Sequence, residues 1–207
     1  MAIVQNPVTG RSKNAFANAI FTTILGKNIM RSKPLKVANP RTIAQQKNRK
    51  KISYLSEQAK SLKSAIDIGY KKAALYMYPR NKFTSENYLT LDVDNSLHVT
   101  QNVQALQISK GGLGDKPTLT NATVTANNYV SVEYLTDDQV YPNSVKVLLA
   151  VIKNNGQVVG IEKNAGVYTS LTATATIQGA SAGDSVFIFA YDEITLEVTN
   201  SSTDILL

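Results

Sequence analysis

Few side chains in this 207-residue sequence can do chemistry, because it contains one histidine and no cysteine. A Ser-His-Asp triad would have to use His98, and a site held by thiolates or by several histidines cannot be assembled. His98 therefore reads as a loop or partly buried residue. Asp92, Asp94, Asn95 and Ser96 begin like a calcium loop. Counted from Asp92, however, the glycine and bidentate glutamate positions of such a loop fall on Leu97 and Val103, so a solvated turn is expected. Gly111-Gly112-Leu113-Gly114-Asp115-Lys116 has the glycines of a phosphate loop. Its lysine precedes Pro117 and a strand-like run instead of a Ser or Thr opening a helix, which makes it a linker. With no complete set of acid, base and metal ligands, the sequence predicts a protein that is not an enzyme, with no cofactor, metal or small-molecule substrate.

Charge is the stronger signal. The net +7 conceals a division: residues 1–82 carry 17 Lys and Arg against Glu57 and Asp67, net +15, whereas residues 83–207 carry 5 against 13 acids, net −8. A basic arm seeks phosphates or an acidic protein surface, and here an acidic surface lies on the same chain. The densest run is Arg31, Lys33 and Lys36, followed by Arg41, Lys47, Arg49, Lys50 and Lys51. Three readings of these eight residues stay open: a solvated face, contact with a nucleic-acid backbone, or contact with an acidic partner. Tyr70, Tyr76, Tyr78 and Phe83 interleave with Lys71, Lys72, Arg80 and Lys82, as either base-stacking aromatics or core. Asp137-Asp138 and Asp192-Glu193 read as loop solubilisers or as docking sites for a neighbour's basic arm. Tyr134, Tyr141 and Tyr168 would serve a glycan- or peptide-binding platform if they faced outward.

The elements that position these residues divide the chain into three. Residues 1–38, broken by Pro7, Gly10, Gly26 and Pro34, read as an extended arm or β-ribbon that gains its order from assembly. Residues 39–114 form a basic helical segment and connector. Its helix starts near Asn39-Pro40-Arg41-Thr42, either with Asn39 as cap and Pro40 in the first turn or with Thr42 and Gln45 as a capping box. Ile52, Leu55, Ala59, Leu62 and Ile66 line its apolar face. Gly69 ends or bends the helix, Pro79 stops the aromatic stretch after it, Asn87 to Leu91 reads as helical, and Val103 to Ile108 alternates like a strand. Residues 115–207, beyond the glycine cluster, contain seven candidate strands: 118–125, 129–135, 145–152, 157–161, 167–177, 185–191 and 194–200. Short turns rich in Asn, Asp and Gly separate them. The predicted fold class is α+β: an N-terminal β-ribbon or arm and basic helices, followed by a seven-stranded antiparallel immunoglobulin- or fibronectin III-like β-sandwich whose strands are half-buried.

Met30-Arg-Ser-Lys-Pro-Leu-Lys-Val-Ala-Asn-Pro-Arg-Thr-Ile-Ala-Gln-Gln-Lys-Asn-Arg49, then Ile68-Gly-Tyr70 and Leu106-Gln-Ile-Ser-Lys-Gly-Gly112, resemble an uncharacterised family of about this length from the Bacteroidota and their tailed phages. The resemblance covers the order of N-terminal arm, Asn-Pro-Arg-Thr-x-x-Gln helix and C-terminal β-sandwich; the stretch from Gly10 to Gly26 departs from it. It carries over no catalytic residues and implies a virion or tail role. No signal peptide and no run of about 18 apolar residues is present, so no membrane contact is expected. The function expected is that of a structural or assembly protein, a ring, collar, tail or capsid-associated virion component assembled in the host cytoplasm. Its partners would be copies of itself and other virion proteins. The alternative is a sequence-independent nucleic-acid-binding module.

Overall fold

The computed structural model describes residues 2–3, 14–16, 19–24, 27–33, 39–100, 102–125, 127–137 and 140–207, and the chain divides into two compact units at Thr42/Ile43. The Gly111–Gly114 cluster thus lies inside the second unit.

The first unit is one antiparallel sheet of β1 (Ala2–Ile3), β2 (Asn14–Phe16), β3 (Ala19–Ile24) and β4 (Lys27–Ser32), in the order β1-β4-β3-β2. The ribbon reading corresponds to the β3–β4 hairpin, in which Phe21 faces Met30 and Thr22 faces Ile29. Thr23 Oγ1 donates to Asn28 Oδ1 at 2.9 Å across it. Partnered residues share a face, so Phe21 and Met30 lie on one side and Ile20, Ile29 and Arg31 on the other. Both faces are mixed in character, and among the described side chains of residues 19–42 none is buried.

The second unit begins with α1 (Ile43–Ser61), α2 (Lys63–Gly69) and α3 (Pro79–Asn87). Thr42 stands immediately before α1. Pro79 opens α3 instead of only stopping what precedes it, because a fixed φ and a missing N–H suit the first helical turn. Helix α3 ends at Asn87, where the sequence pattern suggested a helix beginning. A two-stranded ribbon of β5 (Asp92–Val93) and β6 (Val99–Thr100) follows. Residues 103–105 form a single 3-10 turn, so the alternation there does not mark a ladder strand.

The remaining strands are β7 (Thr118–Val124), β8 (Tyr129–Leu135), β9 (Val145–Ile152), β10 (Val158–Val167), β11 (Thr172–Thr176), β12 (Ser185–Asp192) and β13 (Ser202–Ile205). They form antiparallel sheets β10-β9-β12-β13 and β11-β8-β7. Four of the expected spans match closely. β10 runs on to Val167 through two register shifts, β11 starts only after a 3-10 turn at Tyr168–Ser170, and the last strand lies at 202–205 instead of 194–200. Residues 194–200 instead form a turn and a single bridge, Tyr191 to Val198.

One core lies between the two sheets, where Val147, Leu149, Val186 and Ile188 meet Val130, Val132 and Ala173. The alternate residues of β9 and β12, including Leu148, Ala150, Phe187 and Phe189, meet Leu55, Leu62, Ile66, Tyr70 and Phe83 in a second core under the helices. Thus β12 is buried at every residue, not on one face as its alternation suggested. The helices cover its outer face, which is why Phe187 and Phe189 are as apolar as their inward neighbours.

Candidate binding surface of the helical half

Helix α1 carries the basic run, and its burial pattern decides which residues can act. Leu55, Gln58, Ala59 and Leu62 are buried, a spacing of three, one and three that marks one helical face. Ile52, expected on that face, is exposed: the helix reaches its core only from Leu55 onward. Gln58 takes the place the sequence gave to Ile52. Its Nε2 donates to the Gly156 carbonyl at 2.7 Å and to Tyr54 Oη at 3.0 Å, tying the helix to the β9–β10 turn. A polar residue at an apolar spacing was its only sequence signal.

Of the eight candidate cations, Arg31 is the next-to-last residue of β4 and Lys33 follows the strand, both exposed, while Lys36 lies outside the described residues. Arg41 is exposed ahead of α1, in the first unit with Arg31 and Lys33. On α1, Arg49 and Lys50 are exposed, Lys47 is half-buried, and Lys51 Nζ sits 5.4 Å from the centre of the Tyr88 ring. The structure therefore groups Lys47, Arg49, Lys50 and Lys51 on one helix, with no acid in that helix before Glu57.

The interleaved aromatics split into two pairs. Tyr70 and Phe83 are core, edge to face at 6.2 Å, and Tyr70 Oη donates to the Gln107 carbonyl at 2.7 Å. Burial holds the Tyr70 phenol far above its ordinary titration range. Asn87 fastens α3 to the same segment, donating to Phe83 and Gln107 carbonyls and accepting from the Gln107 amide at 2.7 Å. Gly69 permits this approach, since a Cβ there would stand 2.5 Å from the Ile108 carbonyl oxygen. Tyr76 and Tyr78 are exposed, in the run Leu75-Tyr76-Met77-Tyr78.

The other candidates resolve into structural roles. His98 is exposed in the β5–β6 turn, where its amide donates to Asp94 Oδ1 at 2.8 Å. Tyr134, Tyr141 and Tyr168 are buried, with Tyr134 stacked on Tyr168 at 5.6 Å between ring centres and Tyr141 edge to face with Tyr168 at 4.9 Å, so they form no outward platform. Burial pushes the Tyr168 phenol up to about 12. Asp192 caps its own turn: Thr195 Oγ1 donates to it at 2.6 Å and the Ile194 amide at 3.0 Å, which lowers its carboxyl pKa. Glu193 pairs with Lys146 at 3.3 Å. Asp137 accepts from Tyr141 Oη at 2.6 Å and from the Asp115 amide at 3.2 Å; Asp138 lies outside the described residues. The glycine linker presses on the β12–β13 connection, with the Leu113 amide donating to the Val198 carbonyl at 3.0 Å.

A cleft of about 840 Å³ opens between α2 and that connection. Lys63, Lys71 and Lys163 face Asp67 and Glu193 around Tyr191, so it offers mixed charge for polar binding. Among the described residues, no group of three His, Asp or Glu is placed to hold a metal ion, and no helix is long and apolar enough to cross a membrane.

The sequence pattern of the family of unknown function DUF6266 matches residues 11–202. The chain belongs to that family. No curated protein matches this DUF6266 chain. Two solved structures are similar over 44% of its length. One is the adhesin domain of Epf from Streptococcus pyogenes, at 8% identity and a TM-score of 0.33. The other is CopC from Methylosinus trichosporium OB3b, at 10% identity and a TM-score of 0.29. The match spans about a third of the adhesin-domain chain (32%) and 92% of CopC.

Proposed function

We propose that this DUF6266 protein is a structural protein that works by assembling, and that it performs no catalysis. The observation that carries this reading is the contrast between a cationic N-terminal sheet that buries none of its described side chains and a β-rich half of net charge −8. A single sheet layer needs cover on at least one face for stability, and residues 1–42 hold seven cations and no acid, so the cover that suits them is acidic. In finer terms, the second unit supplies a seven-stranded immunoglobulin- or fibronectin III-like sandwich as a stable platform, and the four-plus-three antiparallel arrangement around one core supports that assignment. The resemblance to proteins of the Bacteroidota and their tailed phages supports a place in a virion, as a ring, collar, tail or capsid-associated component assembled in the host cytoplasm beside other virion proteins.

Light scattering on nuclease-treated protein tests this. A discrete oligomer that dissociates as salt rises is the expected result, because exposed charge pairs are screened over about 8 Å at physiological ionic strength. A monomer at every concentration and salt level would refute it. The second reading, sequence-independent binding to a nucleic-acid backbone, is favoured by the acid-free first half of α1. It predicts a steep salt dependence that flattens when Lys47, Lys50 and Lys51 are reversed in charge.

A further inference from the structure

The cleft of about 840 Å³ between α2 and the β12–β13 connection falls in the size range of small-molecule sites, about 300–1,000 Å³. Three lysines line it. Lys63 opens α2, Lys71 follows two residues past the end of that helix, and Lys163 belongs to β10. A break in the ladder sets Lys163: β10 loses register with β9 between Glu162, paired with Leu149, and Gly166, paired with Val147. Bulges of this kind re-aim side chains, and they are over-represented beside functional sites. Tyr191 Oη fastens this one by donating to the Lys163 carbonyl at 2.8 Å.

The lysines and the acids of the cleft differ in what already binds them. All three lysines are exposed, and among the described residues none has an ion-pair partner. Asp192, by contrast, is 5% exposed, and both its oxygens accept from its own turn, Oδ1 from the Ile194 amide at 3.0 Å and Oδ2 from Thr195 Oγ1 at 2.6 Å. Glu193 is paired with Lys146 at 3.3 Å. Among the acids lining the cleft only Asp67 is uncommitted, so three lysines stand against one carboxylate, an excess of two positive charges.

Between these charges the wall is apolar. Val198 and Tyr191 are buried, Ile68 is half-buried, and Leu196 is 39% exposed. Leu196 holds a φ of 60°, a left-handed conformation that bulky residues rarely adopt and that clusters at ligand sites. Its amide donates to the Asp192 carbonyl at 2.9 Å, so the turn that satisfies the Asp192 carboxylate also presents Leu196.

We infer that this cleft binds a small organic dianion, a phosphate monoester with a short apolar body, whose phosphate lies among Lys63, Lys71 and Lys163 and whose body rests on Leu196 and Val198. A phosphate monoester carries a charge of about −1.5 to −2 at pH 7, which matches the excess of two. The lysine ammonium meets phosphate as a point charge, and the apolar wall gives the organic part a surface to leave water for. None of the basic run of α1 lines the cleft, and the site goes beyond the assembly reading, since it holds whether or not copies associate.

Calorimetric titration of the full chain with hexyl phosphate, hexanoate and inorganic phosphate tests it. The variants are K71Q, K163Q, L196S and, as a surface control, K50Q, each checked for an unchanged thermal melt. Hexyl phosphate should bind about tenfold more tightly than inorganic phosphate, the effect of burying two methylenes, and more tightly than the singly charged hexanoate. K71Q and K163Q should each weaken hexyl phosphate about tenfold, the loss of one charge-assisted contact, and K50Q should leave it unchanged. L196S should weaken hexyl phosphate without altering inorganic phosphate. If K50Q weakens binding as much as K71Q and K163Q do, the attraction is general surface charge and the site is overturned. Hexanoate binding as tightly as hexyl phosphate would overturn the dianion. No binding of hexyl phosphate at about 10 mM, the weak end for a small ligand, would overturn the inference and leave the assembly reading to its own test by light scattering.

Discussion

The two units place similar residues in opposite situations. In β12, Phe187 and Phe189 lie against helices α1 to α3, and every residue of the strand is buried. In β3, Phe21 sits beside Met30 in a strand of comparable composition, yet none of its described neighbours is buried. The strands differ less than their surroundings do: β12 has a sheet on one face and a helical layer on the other within its own unit. The second unit can therefore stand on its own burial, and the first draws little from it. On the assembly reading proposed above, an apolar strand with no buried described side chain, in a segment that carries seven cations and no acid, is an element that a partner would cover.

Truncation should give the widest separation between the two. Phe189→Ala should cost about 3–5 kcal/mol in chemical denaturation, through lost transfer and a cavity in a doubly covered core. Phe21→Ala in the monomer should cost under about 1 kcal/mol, since a half-buried side chain forfeits only part of its transfer free energy. Equal costs would erase the distinction. Within the second unit, Gly69→Ala should destabilise by about 1–3 kcal/mol, because the Cβ meets the Ile108 carbonyl and the helix must move off the segment it clamps. Gln58→Ala should cost about 1–2 kcal/mol by leaving the buried Gly156 carbonyl without its donor. An unchanged denaturation midpoint would show that α1 is held by its apolar face alone.

The smallest effect is electrostatic. Glu86 bridges Lys110 at 2.8 Å and Lys82 at 2.7 Å, and these hold its carboxyl below the ordinary value of 4.5, with Lys110 the larger cause. The folded state thus prefers the charged form. The stability this supplies is fully present above the ordinary glutamate range and fades as pH falls below about 4.3 towards the lowered folded value. Glu86→Gln should lower stability by about 1 kcal/mol at pH 7, and the difference should close in acid. A gap that does not change with pH would assign the loss to packing.

Most β-strands of the second unit were legible because each has a local mark: alternation in Thr172 to Thr176, apolar runs at 145–152 and 185–191, and turns such as Asn154-Asn155-Gly156 between them. The last strand was misplaced because residues 194–200 have strand composition. Asp192 instead caps a turn there, and the ladder resumes at Ser202. The basic run on α1 was legible by count, and its apolar face was read correctly from Leu55 onward. Two features, one of the core and one of the surface, had no clear local mark. Gln58 is a polar residue serving as core, and Leu75 to Tyr78 is an apolar run serving as surface.

The sequence by itself determined where charge resides, which chemistries one histidine and no cysteine forbid, and where most strands and helices lie, because these depend on composition and on neighbours close along the chain. Which faces are covered was decided only by tertiary structure. Burial is a relation between segments far apart in sequence: helices near residue 60 make β12 a two-sided core strand, whereas no described side chain of β3 or β4 is buried.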